Sequence, residues 1–144
     1  MKSLTESRMK PKLIRTIRAD NILRKKSFWI IFVCMLLAVF YQIQFYIFPV
    51  SIKYDKYDVK VNATLTSEES KNIKEILKNA EPAGLLSCGF GFDVTVRIGT
   101  RVYLLAQDSC ASYQHLFRFY DISGEDMDYI HDIFEKYGGA GFHS

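Results

Sequence analysis

FGFDVTVRIGTRVYLLA, from Phe90 to Ala106, sets the fold class of this chain. Phe90, Phe92, Val94, Val96 and Ile98 alternate with Gly91, Asp93, Thr95 and Arg97. That period of two belongs to a strand with one buried face. Gly99-Thr100 separates it from a second apolar run that starts at Arg101. A two-residue Gly-X link between such runs is the signature of a type II′ hairpin. The link fixes a register: Ile98 opposite Arg101, Val96 opposite Tyr103, Val94 opposite Leu105.

Continued outward, this register sets Cys88 opposite Ala111 and Cys110 opposite Gly89. One bulge at Gly89 or Gly91 brings the two cysteines face to face. A Cys88–Cys110 disulfide is therefore expected, worth about 3 to 4 kcal/mol on the loop-entropy model. The hairpin's other face shows Val102, Leu104 and Ala106, paired with Arg97, Thr95 and Asp93. This face is neither polar nor a core face. It is either covered by the domain itself, from the chain near Leu85-Leu86, or it is a docking surface for a partner.

Upstream, Tyr57, Val59, Val61 and Ala63 alternate with polar residues and predict another strand. Thr66 followed by Glu69 has the form of a capping box, and Ile73, Ile76, Leu77 and Ala80 give the following helix its apolar stripe. Glu81-Pro82-Ala83-Gly84 is read as its stop. Downstream, His115 to Ile122 reads as one strand. Ser123 then caps a last helix with a stripe of Met127, Ile130, Ile133, Phe134 and Tyr137, ended by Gly138-Gly139. The expected fold class is α+β: an antiparallel sheet of about four strands with two helices packed on one face.

Ahead of this domain lies FWIIFVCMLLAVFYQIQFYIF, Phe28 to Phe48, with no charge, proline or glycine. As a helix it covers roughly 30 Å, the thickness of a bilayer's hydrocarbon core. Trp29, Tyr41 and Tyr46 resemble interfacial anchors. No small-x-small site follows it and the basic region before it is long, which favours a permanent anchor over a removed signal peptide. Residues 1–26 hold nine lysines and arginines against Glu6 and Asp20, a net +7 within a chain of net +3. Arg24-Lys25-Lys26 abuts the apolar stretch, so the positive-inside rule keeps that side in the cytoplasm. The organisation expected is a basic cytoplasmic tail (1–27), a single transmembrane helix (28–48) and an extracytoplasmic domain (50–144), where an oxidising compartment suits a disulfide. Gln42 and Gln44 belong near the outer interface or bond a neighbouring helix. The basic tail is assigned to lipid, not to nucleic acid.

No residue set converges on catalysis. His131 and Glu135 share a helix face and could hold a metal, but two ligands are too few without a third. Asn62-Ala63-Thr64 fits a glycosylation acceptor only where the cell glycosylates. Neither glycine cluster has a phosphate-binding context, and no cofactor is expected. The function expected is that of a membrane-tethered, non-enzymatic interaction domain with the bilayer and a protein at the outer membrane face as partners. The alternative is a small anchored metal-binding or hydrolytic domain centred on His131 and Glu135.

Overall fold

The structure is a computed structural model that describes residues 10–56, 58–85 and 87–139. Tyr57, Leu86 and the residues from Ala140 onward fall outside them, as does the start of the basic region. Two compact units are present, residues 1–41 and 42–144.

The first unit is helical. Helix α1 runs Lys10–Ile47, and its final residues belong to the second unit. The 22 residues Lys26–Ile47 are long and apolar enough to cross a membrane. Phe28, Trp29, Met35, Leu37 and Phe40 all stay exposed.

The second unit is α+β, as the hairpin pattern implies, but its antiparallel sheet has seven strands, not about four. These are β1 (Val50–Lys56), β2 (Val59–Thr64), β3 (Glu81–Ala83), β4 (Phe90–Ile98), β5 (Arg101–Ala106), β6 (Ser112–His115) and β7 (Arg118–Asp121). Their spatial order is β2-β1-β4-β5-β6-β7-β3. Three segments account for the difference. Val50–Lys56 adds a strand directly after the apolar helix, where Val50, Ile52 and Tyr54 alternate and are fully buried. Glu81–Ala83, beyond the end of its helix, also pairs with β7 as an edge strand, where a proline is tolerated. The segment read as one strand from His115 to Ile122 is broken by a two-residue turn, with His115 opposite Arg118.

The β4–β5 register is as the Gly-X link dictates near the turn, with Ile98 opposite Arg101 and Val96 opposite Tyr103. It then shifts between Phe90 and Thr95. Phe90 faces Ala106, where the unbroken register would have put Asp93. The irregularity is thus larger than one bulged residue. Cys88 and Cys110 meet as a disulfide with their Cα atoms 6.1 Å apart.

Helices α2 (Ser67–Asn79) and α3 (Gly124–Lys136) cover one sheet face. Val50, Ile52, Tyr54, Val94, Val96, Ile98 and Leu105 point into the core with Ile73, Met127, Ile130 and Phe134. The reciprocal Thr66–Glu69 capping box starts α2. Ser123 Oγ accepts from the Asp126 N–H to start α3. Gly138 (φ 90°) ends α3: its N–H donates to Glu135 O and that of Gly139 to Phe134 O. These two bonds make a Schellman motif, which needs the left-handed conformation that glycine adopts without a Cβ clash.

Candidate functional site

Three places hold enough chemistry to compare: the sheet face away from the helices, a recess lined by aromatic rings, and the acidic ligand candidates.

The helix-free face carries Val102, Leu104 and Ala106, as the hairpin alternation requires. Val102 and Leu104 are half-buried, whereas Ala106 is fully buried. Ala106 pairs with Phe90, and the Phe90 ring lies 5.3 Å from that of Phe119. Phe90 and Phe119 stand on strands three apart, about 14 Å at the usual strand spacing. The two rings therefore reach toward each other across β5 and β6. This part of the face is covered by the domain's own phenylalanines; Leu86, one of the two residues expected to cover it, lies outside the described residues. Val102 and Leu104 remain accessible.

The recess lies on the opposite, helix-bearing side, beyond α2. Successive strands β5, β6 and β7 bring Tyr103, Tyr113 and Tyr120 into one line, because Tyr113 is opposite both Leu105 and Tyr120, and Tyr103 is opposite His115. Tyr113 and Tyr120 stack at 5.0 Å, Tyr103 and Tyr113 meet edge-on at 5.6 Å, and Tyr103 stacks on His115 at 4.4 Å. The Tyr113 hydroxyl donates to Leu77 O at 3.0 Å. Burial, with Tyr103 and Tyr120 alongside, raises its pKa well above the usual phenol value, so it remains a donor. His115 Nδ1 lies 2.8 Å from Val102 O. A carbonyl only accepts, so Nδ1 carries the hydrogen and Nε2 is the acceptor of the neutral ring. Burial, aided by the nearby Arg101 charge, lowers the His115 pKa against the opposing bond to Val102.

The other wall comes from the end of α1. Gln44 is buried, and its Oε1 accepts from both the N–H and the hydroxyl of Thr100, each at 2.8 Å. Arg101 donates to Gln42 Oε1 at 2.7 Å and lies over the Phe45 ring at 5.6 Å. Lys74 Nζ donates to Phe48 O at 2.7 Å and Tyr46 O at 3.3 Å, satisfying carbonyls at the end of the helix. The recess so enclosed measures about 220 Å³. Gln42 and Gln44 thus both bond within their own domain.

The ligand candidates fare differently. Among the described residues, His131 and Glu135 gain no third side chain to complete a metal set. Cys88, Asp108 and Cys110 do cluster, but the sulfurs are joined to each other. Asp108 accepts from the Gly89 N–H at 2.7 Å and the Cys110 N–H at 3.1 Å, so its carboxylate braces the disulfide loop. A larger cleft of about 440 Å³ between α2 and α3 holds Glu75, Glu125 and Asp126. Asp126 is engaged with Ser123 and Asn72 with Tyr129, which makes this cleft a solvated helix surface.

No protein-family model, curated protein or solved structure matches this chain. The reading of function therefore rests on the geometry.

The line of tyrosines was open to sequence reasoning only in part. Tyr103 sits at a buried position of the hairpin. Tyr113 and Tyr120 come into line with it only once β6 and β7 are recognised as separate strands.

Proposed function

We propose that this chain is a single-pass membrane-anchored, non-enzymatic interaction domain of the extracytoplasmic side, which receives a protein partner at the aromatic recess. The observation that carries this reading is the make-up of the recess. Tyr103, Tyr113, Tyr120 and Arg101 converge there with Phe45 and Tyr46 from the end of the apolar helix. Tyrosine and arginine in a partly enclosed pocket are the residues that dominate binding energy at protein interfaces. The recess adjoins the last turns of the apolar helix, so a partner seated in it stands at the membrane face. The half-buried Val102 and Leu104 offer a second, flatter contact.

The basic Arg24-Lys25-Lys26 flank supports an N-terminus in the cytoplasm. The disulfide supports an oxidising compartment for the domain.

A photocrosslinking phenylalanine analogue at Tyr120, in the full chain in its native membrane, tests the docking role. The expected result is discrete adducts from position 120, diminished by His115→Ala, and few from the same analogue at Lys60 on the β2 edge. Equal yields at both positions, or none at 120, would remove the recess as the docking surface.

A further inference from the structure

Two turns of equal length close hairpins at the same end of the sheet, and they are built from opposite residue types. Ile98 pairs with Arg101 around Gly99-Thr100, and His115 pairs with Arg118 around Leu116-Phe117. Gly99 has φ 60° and Leu116 has φ 56°. A left-handed first turn residue suits glycine, and a leucine there is strained. Exposed hairpin tips are otherwise the place for glycine, asparagine and aspartate. Here strain and exposure combine to hold two large apolar side chains out of the fold: Leu116 is 66% exposed and Phe117 93%.

Leu116 and Phe117 therefore form an apolar lip at the tip of the β6–β7 hairpin.

That end of the sheet is the one joined to the apolar helix. Tyr103 pairs with His115, so the turn before β5 and the turn after β6 lie on the same side. The turn before β5 is the one whose Thr100 bonds Gln44, and the adjoining Arg101 bonds Gln42. The Cys88–Cys110 disulfide sits at the other end, past Phe90 and Ala106. Exposed Arg118 flanks the lip. An apolar tip beside an arginine fits the boundary between acyl chains and phosphates, where the apolar side chains leave water and the guanidinium meets headgroup oxygens.

From this we infer that Leu116 and Phe117 insert into the interfacial layer of the same bilayer that holds the helix, as a second membrane contact. This rests on the membrane-anchor reading, and the occupant assigned to the lip is lipid.

The test uses the full chain in phosphatidylcholine vesicles whose acyl chains are brominated. Trp29 is the chain's single tryptophan, so its quenching in the unaltered chain reports the anchor. In a Trp29→Phe background, Phe117→Trp reports the lip. Phe92→Trp, exposed at the opposite end of the sheet, is the control. The expected result is a blue-shifted emission and loss of intensity at position 117, with position 92 unaffected. If Trp29 is quenched but position 117 behaves like position 92, whether both are quenched or neither, the lip is overturned and the anchor stands. If Trp29 is unquenched, the anchor fails and the lip with it. A position 117 shielded by protein while unquenched by lipid also overturns the proposal.

Discussion

Gln44 and Thr100 are joined by two hydrogen bonds to a single oxygen: Gln44 Oε1 accepts from the Thr100 backbone N–H and from its hydroxyl, both at 2.8 Å. Gln44 is 4% exposed. Replacing it with leucine removes the acceptor and leaves the Thr100 donors to be resolvated at the edge of the core. The expected cost of Gln44→Leu is about 1–3 kcal/mol, measured by denaturant unfolding of the full chain in detergent. Gln42→Leu is expected to cost under about 1 kcal/mol, because Gln42 and its bond to Arg101 are exposed. Equal costs for the two would mean that Gln44 is not the residue that fastens the turn.

Gly99 is coupled to the same contact. A Cβ built at Gly99 would lie 2.6 Å from Gln44 Oε1, and φ is +60°. Gly99→Ala therefore meets both backbone strain and a clash, and is expected to cost more than about 1 kcal/mol. Removing the Gln44 oxygen should relieve the clash but not the strain. The double variant Gly99→Ala with Gln44→Leu is then expected to fall short of the sum of the single effects by at least about 0.5 kcal/mol. Strict additivity would argue against the contact.

Leu116 gives the opposite prediction. It occupies the position that Gly99 takes in the neighbouring turn, with φ 56°. A left-handed leucine costs roughly 1–2 kcal/mol, and glycine's greater freedom in the unfolded chain takes back about 0.5–1 kcal/mol. Leu116→Gly is expected to raise folding stability in detergent by about 0.5–1 kcal/mol. A loss of stability would show that Leu116 makes a packing contribution that its exposure conceals.

Glu69 should govern the acid limb of stability. Its carboxylate accepts from Lys136 Nζ at 2.7 Å, Tyr137 Oη at 2.8 Å, and the Thr66 N–H and hydroxyl at 2.9 and 2.8 Å. The Lys136 bond is the main cause that holds its pKa down at about 2, against 4.5 ordinarily, and burial opposes it. A carboxyl whose folded pKa is depressed adds stability above its unfolded pKa and loses it as pH falls toward the folded value. The unfolding midpoint should therefore decline between about pH 4.5 and about pH 2. Glu69→Gln should lower stability near neutral pH by about 1–3 kcal/mol and flatten that decline. An unchanged acid limb in the variant would assign it to other carboxylates.

The chain's local signals were legible where one short-range rule acts alone. Gly99-Thr100 fixed the hairpin register, Thr66 and Glu69 fixed the start of α2, and Gly138 fixed the end of α3. Legibility failed where two elements share too few residues to show a period. Ser112–His115 and Arg118–Asp121 have four residues each, and the leucine and phenylalanine between them mimic a continuous apolar strand. Only their pairing, with Tyr113 opposite Tyr120, separates them. The recess was hidden for the same reason, since its tyrosines align across strands and not along the chain. Val50–Lys56 is obscured by its neighbour: next to so apolar a segment, its own short alternation does not stand out.

The disulfide provides the last prediction because it lies at the opposite end of the sheet from Gln44. Cys88 and Cys110 close a loop across 22 positions that contains the whole β4–β5 hairpin. On the loop-entropy model this constraint contributes about 3 kcal/mol by limiting the unfolded chain. Asp108 holds the Gly89 and Cys110 N–H groups in place at that end. Cys88→Ser with Cys110→Ser should therefore lower folding stability by about 3 kcal/mol, with the effect largely additive to Gln44→Leu because the two sites share no partner. Alkylation of the unreduced native chain should spare positions 88 and 110 while leaving Cys34 as the cysteine open to reagent in detergent. Labelling of both without reductant would mean that the thiols are free. The β4–β5 hairpin would then rely on its register alone, and the oxidising compartment would lose its main support.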